Sequence, residues 1–543
     1  MGNFPSAICQ LPSSAPHWSA LVFLLAVLNC GAYAQLIIER TVSVGQTIAD
    51  RGQYVSTIVW ANTGLSSISR AAISFSFSSA DVTRPMILGQ FYGSLTYGTA
   101  SEEERMAQLF SPTNALSGFT PTYTVESALD GPRLASDTWS VLVADQVKGG
   151  GAAVWNSWKL TVEGIAAESG IFRPGASGRL AVSAGESTAQ VGAAVELEHG
   201  SSVAAEAGTG KTLRLDGGLT GAGDLDTTTE SGGKVVVGGN SADFSGIVKV
   251  AGSGTTELSD SRALGAGQLR QTNGNSTVRL NFAGTMSNAI SVYKVAFATN
   301  GATLAGTTTV NNAEFDVASG DTNTITGQIT GSGGVTKTGL GTLVLAGTTT
   351  NDFTGASAVN AGTLFLNKTA GATAISGSSI AVNSGGTLLL GAANQISDGT
   401  VVNLAGGTLA VAGNTDTVGR LTLSADSIFD FGTAGGSASS FTFGDFNTSA
   451  YNGLSVLTIN NAAVGSSLVF NVDYTGNATF NDFASKVQFG GAGQFGQISF
   501  GTGTTTLLVA IPDARIAWAA GLLCGLIGMV ELRRRRPRSA RPV

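Results

Sequence analysis

Residues that could do chemistry appear first in the segment Ala205-Glu206-Ala207-Gly208-Thr209-Gly210-Lys211-Thr212. Its glycines before Lys-Thr fit a relaxed phosphate-loop pattern, in which backbone N–H groups at a helix start hold the anion. That mechanism needs a helix after the loop. Here Leu213-Arg214-Leu215 continues as strand, so Lys211 is expected in a turn between strands. Polysaccharide chemistry would need carboxylates converging with Arg, Lys or His. The body has one histidine, His199, flanked by Glu196 and Glu198, and one imidazole excludes a His-pair metal site. Asp224-Leu225-Asp226 and Asp426 with Asp430 read as ordinary corner carboxylates. No Gly-x-Ser-x-Gly elbow and no Gly-Gly-x-Gly-x-Asp calcium repeat occurs. The three cysteines, Cys9, Cys30 and Cys524, lie in terminal apolar segments, so the body uses neither disulfides nor thiolate metal sites. No catalytic residue, cofactor or metal ligand is assigned.

The elements around these residues read as strand and turn. From Gly333 to Asn367, short β-forming runs (Thr342-Leu343-Val344-Leu345, Thr363-Leu364-Phe365-Leu366) alternate with Gly, Asn, Asp and Ser corners. The Gly-Thr-Leu signal returns at Thr342, Thr363, Thr387 and Thr408, at intervals of 21, 24 and 21 residues. Such a period predicts a solenoid of stacked turns with inward Leu, Val and Ile. A longer repeat lies over it. Leu219-Thr220-Gly221 matches Ile329-Thr330-Gly331 after 110 residues, and Asp243-Phe244 matches Asp352-Phe353 after 109, which predicts a duplicated block of five turns. Residues 208–440 then hold roughly ten turns of about 22 residues. Asn360, Asn383 and Asn403 are expected at corners.

This texture resembles the autotransporter-associated β-strand repeat, and the resemblance implies an exported, right-handed parallel β-helix. No membrane-barrel segment follows the repeats, so self-translocation is not implied. Residues 35–165 are richer in aromatics and charge. Thr138-Trp139-Ser140-Val141-Leu142-Val143-Ala144-Asp145, a Gly149-Gly150-Gly151 corner and Trp158-Lys159-Leu160-Thr161-Val162 resemble the last strands of the P domain of subtilisin-like convertases, which implies a jelly-roll β-sandwich. Trp139, Trp155 and Trp158 are its expected core and rim aromatics. Ser101 to Phe110 is the one stretch there that could form a helix turn. Residues 166–207 are expected to join and cap, and the Phe-rich residues 441–510 to close the far end.

The ends carry addresses. Residues 21–28 are apolar and precede Ala32-Tyr33-Ala34, a small-x-small pattern, so residues 1–34 read as a signal peptide cut after Ala34. Its first twenty residues hold no Lys or Arg. Residues 511–543 begin with Ile511-Pro512-Asp513, run apolar from Ile516 to Val530 and end in Arg533-Arg534-Arg535-Arg536. The apolar run covers about 22 Å as a helix, short of the ~30 Å hydrocarbon core, and the arginines hold the C-terminus in the cytoplasm. This tail resembles a PEP-CTERM sorting signal, with Pro512-Asp513 in place of Pro-Glu-Pro. The resemblance implies a transmembrane helix transiently in the inner membrane and an exosortase-type protease as partner.

Net charge is −7 although seven arginines sit after Ile511, so the body is more acidic still, and nucleic acid is excluded as a partner. The sequence predicts an all-β, exported structural or adhesive protein of the cell surface. Extracellular polysaccharide or neighbouring surface proteins are its expected partners. The alternative is a secreted polysaccharide lyase or hydrolase.

Overall fold

The computed structural model describes residues 35–49, 52–59, 65–80, 86–87, 91–97, 114–115, 122–125, 138–145, 152–166, 170–175, 177–432, 438–490, 494–500 and 506–512. Two compact units account for them, one made mainly of residues 42–168 and the other mainly of residues 191–543. Almost all of the regular structure is strand.

In the first unit, Leu65–Ser79 pairs antiparallel with Ala153–Ala166 and with Thr122–Val125. A second sheet has the order Gln53–Val59, Thr138–Asp145, Phe91–Tyr97. Ile73, Phe75 and Phe77 are buried at strand alternation. Trp155 and Trp158 are both buried although three residues apart, which strict alternation forbids. A bulge reconciles them: Ser76 faces Ser157 while Phe77 faces Trp155, so Asn156 is an extra residue and the two indoles share a side. The Trp158 indole donates to Ser56 Oγ at 2.9 Å, which ties one sheet to the other. The side chain of Trp139 and the segment Ser101 to Phe110 lie outside the described residues.

The second unit is a parallel β-helix, a solenoid of about 12 turns. Each turn offers three strand positions. One side stacks Ser202–Ala207, Asp224–Thr229, Ile247–Gly252 and Gln268–Gln271. The next stacks Thr212–Leu215, Lys234–Val237, Thr255–Leu258 and Thr277–Leu280. The third is a ten-stranded sheet from Gly284–Met286 to Gln488–Gly490. Ile290–Phe297 and Thr308–Val317 are long enough to round a corner and pair on two sides in succession. Parallel stacking already holds at Ile171 with Ala194 and at Val195 with Leu219, ahead of Gly208, where the repeat becomes legible.

The 21, 24 and 21 residue intervals are the register itself: Thr342 lies beside Thr363, Thr363 beside Thr387 and Thr387 beside Thr408. Leu343, Leu364, Leu388 and Leu409 point inward and are fully buried. The long repeat follows a subtler rule. Leu219–Gly221 precedes strands on the first and second sides, whereas Ile329–Thr330 is itself on the first side and leads to strands on the second and third. The duplicated segments are therefore five turns and one side apart. Their local bonding is preserved through the rotation, since Leu219 N–H donates to Ser241 Oγ at 2.8 Å and Ile329 N–H to Asn351 Oδ1 at 2.9 Å. Corners are tight. A Cβ on Gly246 would lie 1.8 Å from the Gly223 carbonyl oxygen, so that corner admits only glycine.

At the far end, Phe446, Phe470, Tyr474, Phe480 and Phe483 form one aromatic cluster, with Phe446 and Phe483 stacked at 4.2 Å. Helix Ala478–Ser485, capped by Asn477 at the Phe480 N–H, supplies two of those rings. An antiparallel pair, Gln494–Phe500 with Thr506–Pro512, then joins the last strands.

Candidate functional site

The inward rows build the core, so any binding chemistry belongs to the outward rows. Alternation places one outward residue per turn at each strand position, with about 4.8 Å between turns. On the third side this yields two adjacent rows. One is Thr322, Thr342, Thr363, Thr387 and Thr408; the other is Thr324, Val344, Phe365, Leu389 and Ala410. Thr322 is exposed, the other nine are half-buried, and none is charged. Phe365 leans over the neighbouring turn: a Cβ on Gly391 would lie 2.5 Å from its ring and 2.7 Å from Asn367 Oδ1.

The earlier turns present charge instead. Lys249 holds Asp224 at 3.0 Å and Asp226 at 3.3 Å, and Arg173 holds Glu196 at 2.6 Å. Glu257, with 6% of its side chain exposed, accepts hydrogen bonds from Lys234 at 3.1 Å and Asn281 at 3.0 Å, and the Arg279 guanidinium lies 3.2 Å from it as an ion pair. Two cations and an amide from neighbouring strands surround this nearly buried carboxylate, so its charge is balanced within the protein. Asp426 and Asp430 cap the backbone at Val456 and Gly432, as corner carboxylates do.

The segment around Lys211 is a turn, with Lys211 N–H bonded to the Gly208 carbonyl at 3.0 Å, and strand Thr212–Leu215 follows it. Glu230 occupies the donors that a phosphate would need. Its Oε2 accepts the N–H and the hydroxyl of Thr209, both at 2.9 Å, which holds the carboxyl below its usual range. His199 is exposed at the next corner. Asn360 and Asn383 share a corner and are bonded at 2.7 Å, but Asn403 faces Ala381 inside strand Val401–Ala405, so it is an outward strand residue and not a corner.

Three titratable groups escaped sequence reading. Lys337 occupies an inward position, between Phe315 and Val359 in the stack. Its ammonium turns back to the carbonyls of Thr338 at 2.5 Å and Gly339 at 2.8 Å, and burial lowers its pKa to about 8. Lys368, also inward, reaches the Ala346 carbonyl at 3.0 Å and is lowered to about 8 by burial. Asp416 is raised to about 6 by burial, even though it accepts the N–H groups of Gln395, Ile396 and Thr417. Their signal was a break in apolar alternation, as at Thr336-Lys337-Thr338.

Among the described residues no group of His, Cys, Asp or Glu could hold a metal ion. Of the predicted processing residues, Pro512 ends strand Thr506–Pro512, paired with Gln494. Ala32, Ala34, Asp513, Arg533, Arg534, Arg535 and Arg536 lie outside the described residues. No helix among the described residues is long and apolar enough to cross a membrane. Compared with known proteins, the chain matches no family model and no curated relative.

Proposed function

We propose that this is an exported, surface-associated structural or adhesive protein, a right-handed β-helical rod preceded by a jelly-roll-like sandwich and followed by a sorting tail with a membrane helix. The observation that carries the reading is the pair of uncharged outward rows, held in register over successive turns from Thr322 to Ala410. A catalytic site concentrates charge in one place, whereas a lattice of shallow, repeated contacts suits a polymer or a neighbouring rod. The acidic groups nearest to a catalytic constellation, Asp224, Asp226 and Glu257, are taken up by Lys249, Lys234 and Arg279.

The test is fractionation of the native host with intact mass of the surface form. The proposal expects a chain that starts at Gln35, lies at the cell surface and ends near Pro512 after action of an exosortase-type protease. A protein recovered only in the cytoplasm overturns the proposal. A surface form still ending at Val543 makes the tail a permanent anchor and removes the protease from the partners.

A further inference from the structure

The third side of the rod also carries features that select among polymers. Resting on the adhesive reading above, we infer that the face centred on Phe365 binds a neutral, linear polysaccharide laid along the stacking axis.

Three observations point to this ligand. The first is charge. Between Thr322 and Thr415 the chain has four charged residues, of which Lys337 and Lys368 are buried and the other two are Asp352 and Asp398. No cation stands among the outward residues of this face to receive a uronate or sulfate, and the body as a whole is acidic. An anionic polymer would meet repulsion without compensation. The second is an aromatic platform. Phe365 sits between Val344 and Leu389 in the outward row, and its ring reaches across Gly391, where a side chain would collide with it. Its Cε2 and Cζ atoms come close over Gly391 while the side chain stays part-exposed, and an apolar ring in an outward row is a surface on which the C–H face of a pyranose can stack. The third is the donor row. Thr342, Thr363, Thr387 and Thr408 place one hydroxyl per turn beside that platform, with the Asn367 amide at its edge. Their spacing of about 4.8 Å is close to the advance of one sugar ring along an extended chain. Each contact is shallow, so affinity accumulates with polymer length.

The experiment measures binding of cellohexaose, xylan and polygalacturonate to the whole chain by calorimetry, with insoluble neutral glucan in a pull-down. The inference expects a neutral probe to bind, longer oligomers to bind tighter, and polygalacturonate not to bind. Phe365→Ala and Thr387→Asp should each weaken binding at least tenfold, while Arg214→Ala on the second side leaves it unchanged. Melting curves check that the variants are folded, and Thr387→Asp, an outward change, retains the core if Phe365→Ala does not. Preference for polygalacturonate, or no binding of any neutral probe, overturns the inference. A parent-like Thr387→Asp in a protein that does bind neutral glycan removes this face and leaves the adhesive reading standing.

Discussion

The turns from Val191 to Val317 and those from Thr322 to Thr415 share one interior and present opposite exteriors. The earlier set carries twenty charged residues, the later set four. Ion pairs run from turn to turn in the first, as in Lys234–Glu257–Arg279 and Lys294–Glu314. Hydroxyl, amide and aliphatic groups occupy the same outward rank in the second. Inside, both keep continuous apolar stacks, such as Leu213–Val235 and Leu364–Leu388. The difference teaches that in a solenoid the inward rows set the fold and the outward rows are free to be written for function.

Substitutions can break that comparison. The largest effect is expected inside, where Leu213→Asp and Leu364→Asp should each cost about 3–5 kcal/mol by burying an unpaired charge. Equal losses in thermal melts support a shared interior, and a tolerant Leu364 position would refute it. Glu257→Ala comes next. It removes the carboxylate that Lys234 and Arg279 share, and because both cations stay well exposed it should cost about 1 kcal/mol, whereas Thr387→Ala in the neutral rows should cost less than about 0.5 kcal/mol. Denaturant melts of the two variants measure the contrast directly.

The titration of the later turns sharpens it further, because the region poorest in surface charge hides two buried lysines, with the buried Asp416 immediately after it. Lys337 and Lys368 fall to about 8 on folding, so between pH 8 and their ordinary value of about 10.4 the unfolded chain binds more protons, and stability should rise with pH across that window. Asp416 has the opposite sign. Its folded value of about 6 exceeds the ordinary value of about 3.9, so its contribution should fall as pH rises from 4 to 6. Hydrogen exchange of the later turns should follow these slopes, and Lys368→Met should flatten the alkaline one. The smallest effect is Thr342→Ser, which keeps the outward hydroxyl and should shift the melting temperature by no more than a degree or so.

Sequence reading went furthest where one physical rule acts locally. Each Gly-Thr-Leu signal couples a tight corner to a two-residue alternation, so its recurrence specifies strand, turn, inward face and register together. It underestimated the solenoid at its start, since strands such as Thr188–Val191 and Ala194–Leu197 alternate inward and outward like the rest but lack the Gly-Thr-Leu corner. At Asn403 the local Val-Asn pattern suggests a corner, but its stacking partner Ala381 lies within a strand and so does Asn403.

From the sequence alone came the all-β class, the solenoid period and the inward leucines, because periodicity and residue type decide these within a single turn. Which side of the rod each repeat occupies was decided by tertiary structure, since the three sides make the same demand for alternation and a segment can serve on any of them. Asp243 and Asp352 look equivalent in sequence and stand one side apart. The roles of Lys337, Lys368 and Asp416 were decided there too. Lys337 turns to the carbonyls of Thr338 and Gly339 beside it, but Lys368 and Asp416 draw partners from neighbouring turns about 20 residues away, Ala346 for Lys368 and Gln395 and Ile396 for Asp416.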